Sequence, residues 1–210
     1  PSQNRALSLR EGALLQGFPL SYEQVQMLRS SYFLLLYNIT EMLMTSFIEQ
    51  ASSIIISNHY KPRELPEQFY RLWLSCMLKT KEINISSENR IDLAKELHSA
   101  IESNSDIINF TIKKPNSGNW AIEEIQNFIK KLNIPVSIPC ATYKIAHRPI
   151  LNDKPVLEAV RDIRNKLAHG EKSFVECSDG MENSRLAEIT NIQLAYLDAL
   201  ANELDTFLNN

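Results

Sequence analysis

From Ser21 to Ser57 the chain runs without a single Gly or Pro, and this constrains the fold more than any other feature of the sequence. Gly weakens helices and Pro breaks them. A run that lacks both and opens on Ser21-x-x-Gln24, the spacing at which side chain and backbone cap one another, predicts one helix of about ten turns. Its middle is apolar almost all round, with Phe33, Leu34, Leu35, Leu36, Ile39, Leu43 and Phe47. That is the pattern of a central helix, or of one shared with a partner subunit. Asn38, Thr40, Glu41, Thr45 and Ser46 interrupt the apolar stretch from Ser31 to Ile48, so a buried helix explains it better than a lipid-facing span. Glu41, one turn beyond Tyr37, would be a buried carboxylate there and would need a partner such as Arg164, another Arg or a Tyr.

Pro62 and Pro66 end the pattern, and "PEQFYRLWLSCMLK" resumes it with Pro66 in the first turn. "SSENRIDLAKELHSAIE" predicts a further helix with its own Ser cap. Residues 106–118 are β-branched and aromatic, then turn-rich, which fits a short strand or an irregular crossover. "NWAIEEIQNFIKKLNI" is amphipathic through Ile122, Ile125, Ile129 and Leu132, and "PVSIPCATYK" reads as extended. The next helix is expected to start at Asn152 or Asp153 as cap, with Pro155 in its first turn, and to stop at Gly170. A loop, "EKSFVECSDGMENS", leads to a last helix from about Ser184 to Leu208. The fold class is mainly all-α: one domain over residues 1–210, with an N-terminal arm at 1–20 and long first, penultimate and last helices. Residues 103–151 form a less regular insertion, irregular or short-β, with one helix. Only five Gly in the chain argue against a turn-rich β-sandwich or barrel.

Cys76, Cys140 and Cys177 lie far apart with no C-x-x-C, so neither a disulfide framework, nor a metal site, nor a bound cofactor is expected. "KKPNSGNW" lacks the phosphate-binding glycine pattern, and His59, His98 and His147 show no ligand spacing. The opening "PSQNRALSLREG" is polar, which leads us to expect a cytoplasmic protein without a membrane partner. Net charge is −3, but the segment from Lys113 to Lys172 carries 11 basic against 6 acidic residues. Such segregation could present one basic face to a polyanion; helices could equally disperse it over several faces.

The most unusual stretch is "RDIRNKLAHG", residues 161–170. Cations near a helix C-terminus are ordinary, because the macrodipole favours them; an Arg-Asn pair followed by a His that abuts the terminal Gly is less so. On a helical wheel Val156, Val160, Ile163 and Leu167 form the core stripe. Asn165 and His169 are i,i+4 neighbours roughly opposite it, Arg161 is i,i+4 from Asn165, and Arg164 sits at the stripe's edge, about 140° from His169. A fan that wide cannot aim at one atom from a single helix. It can if two copies face each other, with Arg164 of one reaching towards His169 of the other across the small Ala168.

The "RNKLAHG" segment resembles the R-x4-6-H signature of the HEPN superfamily, small helical domains that include many metal-independent ribonucleases. In that family Asn, Asp or His commonly follows the Arg; here it is Asn165. "LLLYNITE", "SGNWAIEEIQNFIKKLNI" and "HGEKSF" are similar to a bacterial branch found in toxin, restriction-associated and phage-defence settings. The resemblance spans about Met27 to Phe207. It implies a HEPN-like helical bundle and a homodimer with RNA as substrate, cut at a composite interface site, with an antitoxin or defence-system protein as a further partner. Arg164, Asn165 and His169 would be catalytic, and Arg161 and Lys166 would touch the RNA backbone. The 2′-OH is RNA's own nucleophile, so an enzyme needs a proton carrier, which His169 supplies, and a cation for the phosphorane charge, which Arg164 supplies. Asn165 could hold the His ring or bond a phosphate oxygen. A Tyr that some members carry two residues after the His is Glu171 here, so regulation by modifying it does not carry over. The alternative function is a non-catalytic HEPN module for dimerisation or RNA binding in a defence complex.

Overall fold

The structure, a computed structural model, describes residues 21–79, 87–103, 105–115 and 119–209. The expected arm at 1–20 and the first Ser of "SSENRIDLAKELHSAIE" lie outside the described residues. Eight α-helices and one 3-10 turn are present among them, with no strand; the one β-type pairing is an isolated bridge between Leu151 and Lys154.

Helix α1 spans Tyr22–Ser57, and its capping box at Ser21 and Gln24 is closed in both directions. It is the axle of the fold. The 3-10 turn Pro62–Glu64 and then α2, Glu67–Lys79, follow the two prolines, and α3 spans Ser87–Glu102. Helix α4 is Ile122–Lys131, α5 Cys140–His147, α6 Val156–Ala168, α7 Phe174–Cys177 and α8 Asn183–Asn209. Helices α6, α7 and α8 pack on α1, and α5 packs on α8. The core joins Phe33, Leu36, Tyr37, Met44 and Phe47 of α1 to Val156, Val160 and Ile163 of α6 and to Tyr196, Leu200 and Leu204 of α8.

Several expectations need correction. α1 is not buried all round: Leu35 and Met42 are 53% and 63% exposed, and Glu41 stands in solvent. Residues 105–115 take the irregular course and form no strand. The expected extended segment contains α5, because Pro139 occupies its N-cap, where the lack of an N–H costs nothing; the 103–151 region therefore holds two helices. The loop after Gly170 contains α7, started by a second capping box at Ser173 and Glu176.

Asn152 and Asp153 do not cap α6. Both have positive φ, 51° and 56°, in the tight turn that the Leu151–Lys154 bridge closes, a conformation their short polar side chains tolerate. The N-cap position of α6 is Pro155, with no side-chain cap.

Candidate active site

Helix α6 buries Val156, Val160, Ile163 and Leu167 against α1, the stripe its sequence predicts. Its end is built from local bonds. The Glu171 N–H donates to the Lys166 carbonyl at 2.9 Å and the Gly170 N–H to the Leu167 carbonyl at 3.3 Å, the paired closure of a Schellman motif. Gly170 has φ +67°, which a residue without Cβ adopts at no steric cost. His169 is thereby left as the C-cap, exposed, with no side-chain hydrogen bond among the described residues.

The loop beyond is tied back to α1. Ser30 donates to the Phe174 carbonyl. Ser178, fully buried, is within hydrogen-bonding distance of the Gln26 backbone carbonyl and side-chain oxygen, both at 2.7 Å. α7 is pinned in this way, and the chain leaving His169 has a fixed destination.

Arg164 is held in a way the wheel does not foresee. Its guanidinium lies over the ring of Tyr37, 3.9 Å from the centroid, and its Nη1 donates to Asn165 Oδ1 at 2.8 Å. Tyr37 is 1% exposed, and its hydroxyl accepts the Trp120 backbone N–H at 3.3 Å. Burial pushes the phenol's pKa up, against the pull of the Trp120 bond and of the Arg164 charge. Glu41 is not the carboxylate that answers Arg164. Among the described residues Arg164 has no carboxylate partner at all. Asn165 serves Arg164 here and makes no side-chain bond to His169.

Arg161, one turn earlier, is neutralised. Its Nη1 meets Glu124 at 3.0 Å and its Nη2 meets Asp162 at 3.4 Å. Asp162 also binds Lys154; burial would raise its carboxyl, but Lys154 and Arg161 together hold it below the usual range. Glu158 accepts the Ile122 N–H at 3.1 Å, satisfying a free donor at the start of α4. Lys166 is half-buried and has no ion pair among the described residues. Within Lys113–Lys172, Lys154 and Arg161 pair with the segment's own carboxylates, and Arg148 is met from outside it by Glu188.

A family model described as MAE_28990-like HEPN matches residues 3–210. The chain belongs to the HEPN superfamily. Its all-α architecture agrees with that membership. No curated protein and no solved structure matches the chain. Among the described residues of this HEPN protein no helix is long and apolar enough to cross a membrane, and no group of three or more His, Cys, Asp or Glu is placed to hold a metal ion. The residue at this site that reading the sequence did not join to Arg164 is Tyr37, whose ring lies under the guanidinium.

Proposed function

We propose that this HEPN protein is an endoribonuclease that needs no metal and cuts RNA at a site shared by two copies of the chain. The observation that carries the reading is Arg164. It is an arginine set over a buried ring and steadied by Asn165, with no carboxylate among the described residues to neutralise it, on the same helix end as an exposed histidine. A structural arginine at a helix end would be expected to bond carbonyls or a carboxylate; this one is left with a planar donor edge of the kind that matches phosphate oxygens.

The steps balance without a cofactor. His169 accepts the 2′-OH proton as the 2′-oxygen attacks the adjacent phosphorus. Arg164 stabilises the added charge of the phosphorane. The bond from phosphorus to the 5′-oxygen breaks, and that oxygen takes the proton back from His169 and leaves as a 5′-hydroxyl, giving a 2′,3′-cyclic phosphate on the other fragment. Imidazole is suited to both transfers because it exchanges protons near neutral pH. Asn165 keeps Arg164 in plane, and Lys166 meets the RNA backbone.

Dimerisation is part of the proposal. Leu28, Leu35 and Met42 stand exposed on α1 at seven-residue spacing, beside the equally exposed Met27. Seven residues return to nearly the same side of a helix, so these side chains form one apolar stripe; it lies on the side of α1 away from Tyr37 and α6, and the contact that would join two sites is the one across Ala168 instead. The role we assign is in a cytoplasmic toxin or phage-defence system, where a partner protein restrains or targets the nuclease.

The test is incubation of the protein with mixed RNA in EDTA, beside His169→Ala. Cleavage by the unaltered protein alone, leaving cyclic-phosphate ends, is the expected result. DNA, which lacks the 2′-OH, stays intact. Intact RNA with both proteins, each folded and dimeric, would favour the non-catalytic module.

A further inference from the structure

We propose that Tyr37 is the positioning residue for Arg164: its buried ring is the platform that holds the guanidinium in one plane, ready for a phosphate. This deepens the nuclease reading and rests on it for its catalytic half.

A free arginine side chain samples many rotamers, and fixing it on substrate costs side-chain entropy. Arg164 is already ordered on two sides. The Tyr37 ring, 3.9 Å below it, confines the plane, and Asn165 Oδ1, 2.8 Å from Nη1, fixes rotation within that plane. Neither contact neutralises the charge, since a ring face offers only a quadrupole and an amide oxygen only a dipole. A carboxylate in the place of Tyr37 would order Arg164 as well and would disarm it.

The platform is itself immobile. Tyr37 lies in the middle of α1, 1% exposed, and its hydroxyl accepts the N–H of Trp120. Trp120 is buried too and packs edge-on against Phe128 of α4, their centroids 5.3 Å apart. Trp120, just before α4, therefore braces the ring at its hydroxyl. This gives Trp120 a task in the site through Tyr37.

Two substitutions separate the ring from its hydroxyl. Tyr37→Leu removes the face. Tyr37→Phe keeps the face and gives up the Trp120 bond. We expect kcat for RNA cleavage to fall about tenfold in Tyr37→Leu with KM little changed, and to stay within about threefold in Tyr37→Phe, the scale of a partly desolvated cation–π contact. Placed in an Arg164→Ala background, Tyr37→Leu should change the residual rate no further, because no guanidinium remains to be positioned. A residue that merely supports the fold would lower both rates. If the Leu variant melts below the assay temperature, Tyr37→Met, a flexible side chain that fills irregular space, takes its place.

A second readout needs no catalysis. In arginine-labelled protein, the Arg164 Nε–H proton, assigned by its loss in Arg164→Lys, should be shifted upfield by the ring. The shift should persist in Tyr37→Phe and vanish in Tyr37→Leu. An Arg164 signal identical in unaltered protein and Tyr37→Leu overturns the platform whatever happens to RNA. Equal kcat in those two proteins overturns its catalytic half. A shifted Arg164 in a protein that leaves RNA intact would instead overturn the nuclease reading and leave the stack standing.

Discussion

Arg161 and Arg164 sit one turn apart on α6, and the molecule treats them in opposite ways. Arg161 lies between Glu124 and Asp162, and Lys154 completes a four-membered ionic chain. That chain ties the turn before α6 and the first turn of α4 to the helix. Arg164 meets no carboxylate among the described residues and is ordered by a ring and an amide. The first arrangement uses a charge to join parts of the fold; the second keeps a charge available while removing its freedom. Burial does not distinguish the two residues, because both are half-buried cations. What distinguishes them is the disposal of their charge, and that points to Arg164 as the functional one.

The contrast can be broken most directly by truncation. Arg164→Ala should lower RNA cleavage by about 10²- to 10³-fold, the usual loss for a transition-state charge donor, with the melting temperature barely moved. Arg161→Ala should do the reverse, leaving cleavage within about threefold and lowering stability, since Glu124 loses its partner and Asp162 keeps only Lys154. Equal kinetic losses would mean that both arginines serve the RNA. Next in size is the dimer. Ala168→Arg, at the exposed position across which two copies would meet, should halve the mass seen by light scattering and remove cleavage with it, while helix content is unchanged.

Smaller effects sharpen the framework on either side. Gly170→Ala should cost about 1–2 kcal/mol in a denaturant titration, the penalty of a left-handed backbone with a Cβ. An added Cβ meets nothing within 4 Å, so the loss reports the helix end alone, and Gly170→Asn should cost less. Asp162→Asn should remove up to about 1 kcal/mol at pH 7, as partly exposed ion pairs do. The sign with pH follows from the lowered Asp162 carboxyl: its contribution is full above the unfolded value of about 4 and disappears as pH falls through the lower folded value. The gap between unaltered protein and Asp162→Asn should therefore close on acidification.

Much of this was legible in the sequence because it is local. The Ser21–Gln24 box, the Gly170 stop and the stripe from Val156 to Leu167 each depend on residues within a turn or two of one another. The failures have two causes. Asn and Asp serve equally as helix caps and as left-handed turn residues, so Asn152 and Asp153 were assigned to the wrong one of two structures that both suit them. Pro135 and Pro139 made the start of α5 look extended, although Pro at a helix start is compatible with the helix. The organisation of the site is long-range by nature. Tyr37 and Arg164, or Arg161 and Glu124, meet only because α1 and α4 pack beside α6, and no spacing rule along one helix contains that. A wheel placed Asn165 with His169; the folded chain gave it to Arg164.

The central claim, that Arg164 of one copy works with His169 of another, is tested by mixing two inactive proteins. Arg164→Ala and His169→Ala are unfolded together, refolded as a random mixture and assayed on RNA in EDTA. If the site is shared, half of the dimers are mixed and each rebuilds one of its two sites, so cleavage should return to about a quarter of the unaltered level. If both groups act within one chain, no combination restores a site; a mixture as inactive as its parts, with mixed dimers shown to form, would contradict the account.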